Sequence, residues 1–94
     1  MARFQADVAT AHASRYLQQL CKHWSHRLAV EFDAERGLVH MGGADCAFAA
    51  APERLVLTLE GDAAARLRTV VAEHLQRFAF REELVVDWVE HAAA

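Results

Sequence analysis

The sequence predicts an α+β domain in which two helices pack on one face of an antiparallel sheet. Two segments repeat apolar residues at the three- and four-residue spacing of a helix, and six alternate apolar and polar residues as half-buried strands do. The connections between the middle strands are too short for the crossovers that parallel strands require. The predicted order of elements is therefore β-α-β-β-β-β-α-β, in a single domain over residues 1–91 with a frayed tail at 92–94.

The first strand and the first helix follow from the N-terminal pattern. Residues 4–10 alternate apolar and polar side chains, which predicts a strand. Thr10 is the predicted N-cap of a helix that runs to about Leu28. The apolar residues of this helix form one stripe, flanked by Tyr16 on one side and by Cys21 on the other. The stripe consists of Ala13, Leu17, Leu20, Trp24 and Leu28.

Four short strands, a second helix and a last strand complete the chain. The four strands are predicted at residues 28–33, 38–41, 45–50 and 55–60, with turn residues between them. Asp62 is the predicted N-cap of the second helix, and residues 84–89 are the predicted last strand. The apolar face of the second helix comprises Leu67, Val70, Val71, His74, Leu75 and Phe78. Because each helix has one apolar stripe, both are expected to cover the same face of the sheet, similar to a one-repeat TATA-box-binding-protein-like topology. This is an analogy of fold and not of function.

Composition and charge exclude several classes of protein. With 54% hydrophobic and 24% charged residues the chain is globular, and a net charge of −3 gives no general attraction to nucleic acid. No run approaches the ~18 apolar residues of a membrane span, and no secretory h-region is visible, so we expect a cytoplasmic protein. Cys21 and Cys46 lack a spacing motif and are expected to be free, with a disulfide as the alternative. We expect no cofactor to be required for folding, since a domain of this size can form one core unaided.

Two stretches resemble a known bacterial family. Residues 13–23 read ASRYLQQLCKH and residues 78–88 read FAFREELVVDW, and both resemble the hallmark segments of the bacterial domain of unknown function 2218 family. The glycine-closed hairpin at residues 33–37 fits as well. The family has no established activity, but members occur joined to or beside siderophore-interacting flavoreductases. The resemblance therefore implies an accessory role in iron acquisition, with such a flavoreductase as protein partner.

One edge of the first helix concentrates polar and reactive side chains. At 100° per residue, Tyr16, His23 and Arg27 lie within about 40° of each other beside the apolar stripe. His23 and His26 are three residues apart and could share a metal ion with a third ligand from elsewhere. The favoured interpretation is that long amphipathic side chains border the core with their tips in water. A ligand or metal site on this edge is the alternative.

His74 lies in the middle of the second apolar stripe. It is predicted either to line a small pocket between the helices and the sheet, or to be a neutral, hydrogen-bonded histidine that packs in the core. Because its helical neighbours are apolar, packing is the favoured interpretation.

The sheet face away from the helices is expected to be acidic and partly apolar. Its carboxylates, together with His40, could bind a hard cation, or could simply be solvated. An open face with apolar residues also favours a homodimer. The predicted acidic members are Glu31, Asp33, Asp45, Glu60 and either Asp7 or Asp87, and the apolar ones are Val39, Met41, Ala47, Ala49 and Val56.

Enzyme motifs are absent from the sequence. It contains no glycine-rich phosphate loop, no G-x-S-x-G elbow and no H-E-x-x-H. The leading hypothesis is a non-enzymatic binding or accessory domain linked to siderophore metabolism. Two alternatives remain, namely a small ligand- or metal-dependent enzyme using Tyr16, His23, Arg27 and His74, and a structural dimerisation module.

Overall fold

Six strands and two helices form over residues 2–91, the residues that this computed structural model describes. The predicted order of elements is confirmed, and the predicted tail at 92–94 lies outside the described residues. The strands are β1 (Ala2–Ala9), β2 (Ala29–Phe32), β3 (Arg36–His40), β4 (Asp45–Ala51), β5 (Arg54–Gly61) and β6 (Val89–His91), and the helices are α1 (Ala13–Trp24) and α2 (Ala64–Phe78).

The strands form one antiparallel sheet in the order β2-β3-β4-β5-β1-β6. The first strand lies inside the sheet, where it pairs with β5 from Ala2↔Gly61 to Ala9↔Arg54 and with the short β6 on its other side. Both helices cover one face, as predicted. Alternate residues of the strands bury against them, since successive side chains of a strand point to opposite faces. The largest fully buried side chains are Leu17, Leu20, Leu55, Leu57, Leu59 and Leu75. No helix within residues 2–91 has the length and apolar character that a bilayer span needs.

Helix α1 is shorter than predicted at both ends. It ends at Trp24 and not near Leu28. The hydroxyl of the C-cap residue Ser25 donates to the Lys22 carbonyl at 2.6 Å. The Arg27 N–H turns back to the Trp24 carbonyl, three residues earlier, at 3.0 Å. His26 therefore lies in a turn outside the helix. The N-cap is His12 and not Thr10, which precedes the helix and accepts a hydrogen bond from the His12 backbone N–H at 3.0 Å.

Helix α2 and the last strand also differ from the prediction at their ends. The N-cap of α2 is Ala63 and not Asp62, and the Ala63 N–H donates to the Gly43 carbonyl at 2.9 Å. The predicted strand at 84–89 pairs with β1 only at Val89–His91. Burial alternates along residues 83–88. Leu84 is buried and Val86 and Trp88 pack on the core, whereas the residues between them are exposed. The alternation in this segment therefore reflects packing and not strand pairing.

The helix-facing side of β3 was assigned wrongly from the sequence. Val39 is 0% exposed beneath the helices and Met41 packs against the same core, so neither lies on the open face. The open face instead carries Leu38, which pairs with Ala47. A shift of one residue in the predicted alternation moves every side chain of a strand to the other face.

Three of the predicted acidic residues already have local partners, and one of them is Asp7, which lies 3.6 Å from the Arg54 guanidinium. The Asp33 carboxylate accepts the backbone N–H groups of Glu35 and Arg36, each at 2.8 Å, and these two bonds hold the pKa of Asp33 below its ordinary value. Asp33 therefore shapes the β2–β3 turn. Asp45 pairs with the His40 ring at 2.9 Å on the open face, across the β3–β4 ladder.

Helix α1 lies directly on the backbone of β3. At Gly37 a Cβ atom would come within 2.6 Å of the Cys21 Sγ and 3.4 Å of the Leu17 Cδ2. Real Cβ atoms do not approach a neighbour at the first of these distances, so only glycine allows this helix to reach the sheet here.

Candidate functional site

A cavity of about 340 Å³ opens between the start of α1 and the turn that follows α2. We refer to it as the Glu82 pocket. Helix α1 supplies one wall because residues three and four positions apart share a helix face. The turn after Phe78 supplies the other. The lining residues are His12, Arg15, Tyr16, Gln19, Phe78, Phe80, Arg81 and Glu82.

The Glu82 carboxylate receives two hydroxyl groups at this pocket. The Tyr16 hydroxyl donates to Glu82 Oε2, and the Thr10 hydroxyl lies 3.3 Å from each carboxylate oxygen. Thr10 and Tyr16 are only 6% and 5% exposed, so these hydroxyl groups would be costly to leave without a partner. The three side chains tie the segment after α2 to the start of α1.

The environment of Tyr16 favours its neutral form. Burial raises the pKa of the Tyr16 hydroxyl, the hydrogen bond and negative charge of Glu82 raise it further, and Arg15 opposes them. The hydroxyl therefore keeps its proton and acts as a hydrogen-bond donor at neutral pH. It is not arranged as an activated nucleophile or base.

The rim of the pocket is cationic and aromatic. Arg15 and Arg81 are exposed guanidinium groups, and that of Arg81 lies 5.4 Å from the centre of the Phe80 ring. Phe80 is 77% exposed, which is unusual for so large an apolar side chain. His12 stands edge-on to Tyr16, with ring centres 6.2 Å apart. The pocket thus combines a carboxylate on its floor with two guanidinium groups and a bare aromatic ring at its mouth.

An aromatic cluster of His23, Trp24, His74 and Phe78 lies beside the pocket, where α1 packs against α2. The His74 ring centre is 5.1 Å from that of Trp24 and 5.5 Å from that of His23. Because a carbonyl oxygen only accepts, the 2.7 Å contact shows that His74 Nδ1 donates to the Val70 carbonyl. His74 is thus a half-buried, hydrogen-bonded histidine that packs between the helices.

The residues of the predicted helix edge do not line one common depression. Tyr16 lines the Glu82 pocket, whereas His23 and His26 line a shallow depression with Lys22, and both places share Gln19 and Phe78 as borders. Arg27 is exposed in the turn after α1 and borders neither depression. Within residues 2–91 no group of three His, Cys, Asp or Glu side chains is placed to hold a metal ion.

Most of the chain, residues 5–89, matches the family described as "Uncharacterized protein conserved in bacteria (DUF2218)". The chain belongs to the DUF2218 family. It is also similar to the NMR structure of PA4090 from Pseudomonas aeruginosa, at 39% sequence identity and a TM-score of 0.79, over 95% of this chain and 96% of that one. No curated protein matches the chain. Thr10, Tyr16 and Glu82 all lie within the residues matched to DUF2218, so the pocket is built wholly from that region.

The sequence prediction does not place Thr10, Phe80, Arg81 or Glu82 at this DUF2218 pocket. From the sequence, Thr10 is interpreted as a helix cap, and Glu82 enters only as part of the segment 78–88. The sequence did hold a signal for the contact between Tyr16 and Glu82. These two residues belong to the two separate segments, 13–23 and 78–88, on which the resemblance to DUF2218 rests. Those two segments meet at the Tyr16–Glu82 hydrogen bond.

The two thiols of this DUF2218 chain are free and buried, which makes its stability sensitive to alkaline pH. Burial raises the pKa of the Cys21 thiol from 9.0 to about 11, and it raises that of Cys46 further. A group whose pKa is higher in the folded chain adds stability below its unfolded pKa, and that stability is lost as the pH rises towards the folded value. From pH 8 to pH 10 we expect Cys21 alone to cost roughly 1–1.5 kcal/mol of unfolding free energy. Urea unfolding at both pH values checks this. Between pH 8 and pH 10, the Cys21→Ala variant should lose less unfolding free energy than the parent protein, and the difference should equal the contribution of Cys21. An equal loss in both proteins would contradict it.

Proposed function

We propose that this DUF2218 domain is a non-enzymatic binding domain whose ligand lies in the Glu82 pocket. The observation that carries the proposal is the set of buried hydroxyl groups that fix one carboxylate on the floor of a cavity. Small-molecule sites in proteins are concave, largely preformed and lined by apolar groups with a few fixed polar ones, and their volumes begin near 300 Å³. The pocket reaches this volume and sets Phe78 and Phe80 among polar side chains. Its Tyr16 hydroxyl keeps its proton and serves as a hydrogen-bond donor, as a binding group does.

The biological role that we propose is accessory to siderophore-linked iron metabolism in the cytoplasm, with a siderophore-interacting flavoreductase as protein partner. This role rests on what the resemblance to the family implies, namely an association with such flavoreductases, and not on a residue of the pocket. The enzyme alternative has less support, because Tyr16, His23 and Arg27 do not border one depression.

The test is an amide NMR titration of the ¹⁵N-labelled domain. The probes are Zn²⁺, the diamagnetic gallium(III) complex of a siderophore, and a purified siderophore-interacting flavoreductase, each added separately. We expect saturable shifts centred on residues 12–19 and 78–82 with the siderophore complex or the flavoreductase. Arg81→Ala should weaken them, whereas Arg77→Ala, an exposed arginine in the last turn of α2, should not. Shifts confined to other surfaces would contradict binding at the pocket.

A second candidate function is homodimerisation through the open face of the sheet. A groove of about 440 Å³ crosses this face over the small and apolar side chains Leu38, Ala47, Ala49, Val56 and Thr58. Glu31, Asp33 and Arg36 lie at one end of the groove, so a two-fold pair of copies could match acidic groups to basic ones.

Dimerisation through this face predicts a specific effect of a charged substitution. Ala49→Arg places a long cation in the groove and is expected to convert a dimer to a monomer. Sedimentation equilibrium at about 0.1–1 mM protein measures this, since a dimer with a Kd below the millimolar range is populated at that concentration. Ala65→Arg, at an exposed position on α2, is the control and should leave the dimer intact. A monomeric parent protein over this range would rule out the dimer.

A further inference from the structure

We propose that the Glu82 pocket selects an aromatic carboxylate that carries a ring hydroxyl group. This inference rests on the proposed binding function and names the chemical class of its ligand. It follows from three features of the pocket: two guanidinium groups at the mouth, aromatic rings on the walls and a hydroxyl-bound carboxylate on the floor.

The mouth of the pocket favours an acid group. Arg15 and Arg81 come from opposite walls, one from α1 and the other from the turn after α2. Guanidinium groups match the geometry of a carboxylate and can donate two parallel hydrogen bonds to it. The Arg81 guanidinium lies 5.4 Å from the centre of the Phe80 ring, within the range of a cation–π contact.

The walls favour a flat ring. Phe78 and Phe80 line one side of the cavity, and the Tyr16 ring lines the other beside His12. Aromatic rings pair in stacked or edge-on arrangements that add to the gain from burying their surface. Because Phe80 is 77% exposed, a ring that enters the pocket would cover apolar surface that water now contacts.

The floor favours a hydroxyl group and disfavours a bare anion. A carboxylate has two oxygens with about four acceptor positions, and the hydroxyls of Tyr16 and Thr10 use only two of them. The Tyr16 hydroxyl donates to Oε2, so Oε1 keeps a position for a ligand donor. An anion without a donor, such as sulfate, would instead meet the negative charge of Glu82 at the floor.

A set of four small probes tests the three features one at a time. The amide NMR spectrum of the full chain is titrated with 4-hydroxybenzoate, with benzoate, which lacks the hydroxyl, with 4-hydroxybenzyl alcohol, which lacks the acid, and with phosphate, which lacks the ring. We expect 4-hydroxybenzoate to bind most tightly, roughly tenfold more tightly than benzoate, since a hydrogen bond to a charged group has that effect. The shifts should centre on residues 12–19 and 78–82.

Three variants assign the preference to named groups. Arg81→Ala should weaken the binding of 4-hydroxybenzoate and benzoate and leave the affinity for 4-hydroxybenzyl alcohol unchanged. Glu82→Gln should reduce the preference for 4-hydroxybenzoate over benzoate towards unity, and its spectrum reports whether it is folded. Phe80→Ala, at an exposed position, should weaken the binding of all three aromatic probes without disturbing the core.

The outcomes separate the inference from the proposed function. Equal affinity for benzoate and 4-hydroxybenzoate, or tighter binding of phosphate at the same residues, would overturn the inference while leaving a binding pocket. If the siderophore complex moves these residues and no aromatic acid does, the inference alone fails. If neither the aromatic acids, the siderophore complex nor the flavoreductase moves them, both proposals fail together.

Discussion

Glu82→Ala is expected to lower the free energy of unfolding by about 2–3 kcal/mol, because two buried hydroxyl groups lose a charged acceptor. The segment after α2 would lose its connection to the start of α1, so binding at the pocket should be lost as well. Urea unfolding followed by circular dichroism measures the first effect. Glu83→Ala is the matched control, since its exposed neighbouring carboxylate should change stability by about 0.5 kcal/mol or less.

The Tyr16–Glu82 contact can be isolated with a double-mutant cycle. Tyr16→Phe removes only the hydroxyl, and combining it with Glu82→Ala should cost less than the sum of the two single changes, by about 1–2 kcal/mol. Additive effects would mean that the two groups do not stabilise the fold through each other.

The second large effect is expected at Gly37. Gly37→Ala places a methyl group 2.6 Å from the Cys21 Sγ, so α1 must move away from β3, at a cost of about 2–3 kcal/mol. Ala29→Val adds bulk at an exposed position on the neighbouring strand β2, and it should be close to neutral.

A suppressor tests the physical cause at Gly37. Cys21→Ala removes the sulfur that blocks the new methyl group, so Gly37→Ala should cost less in that background than in the parent protein. Thermal and urea unfolding of the four proteins give the comparison. An unchanged cost in both backgrounds would show that contact with the sulfur is not the reason glycine is needed.

The type and order of the elements could be predicted because periodicity is a local property of the sequence. The apolar stripes of both helices and the alternation of β1, β4 and β5 are readable within a few residues. Element ends were less accurate because tertiary contacts decide them. Thr10 has the chemistry of an N-cap, yet its hydroxyl donates to Glu82, a residue 72 positions away in the chain. The prediction for Val39 is wrong because a short strand between two turns does not show which of its alternate side chains face the helices.

The candidate site was predicted in part. Tyr16 was identified from its position beside the apolar stripe, and the hydrogen-bonded packing role of His74 was one of its two predicted roles. The partner of Tyr16 lies 66 residues away, and helical geometry carries no information over such a separation. His26 was assigned to the His23 edge only because α1 was extended past Trp24.

The interior position of β1 also has a consequence for the folding rate. Its pairs with β5 join residues between 45 and 59 positions apart, whereas β3, β4 and β5 pair with their neighbours through short turns. Closing long loops costs entropy before any contact compensates for it, so chains rich in distant pairings fold slowly. The β3–β5 meander can form early from local contacts, while β1 must wait for a completed β5 before it can dock. The folding transition state is therefore expected to contain the meander and to leave the N-terminal strand unpaired.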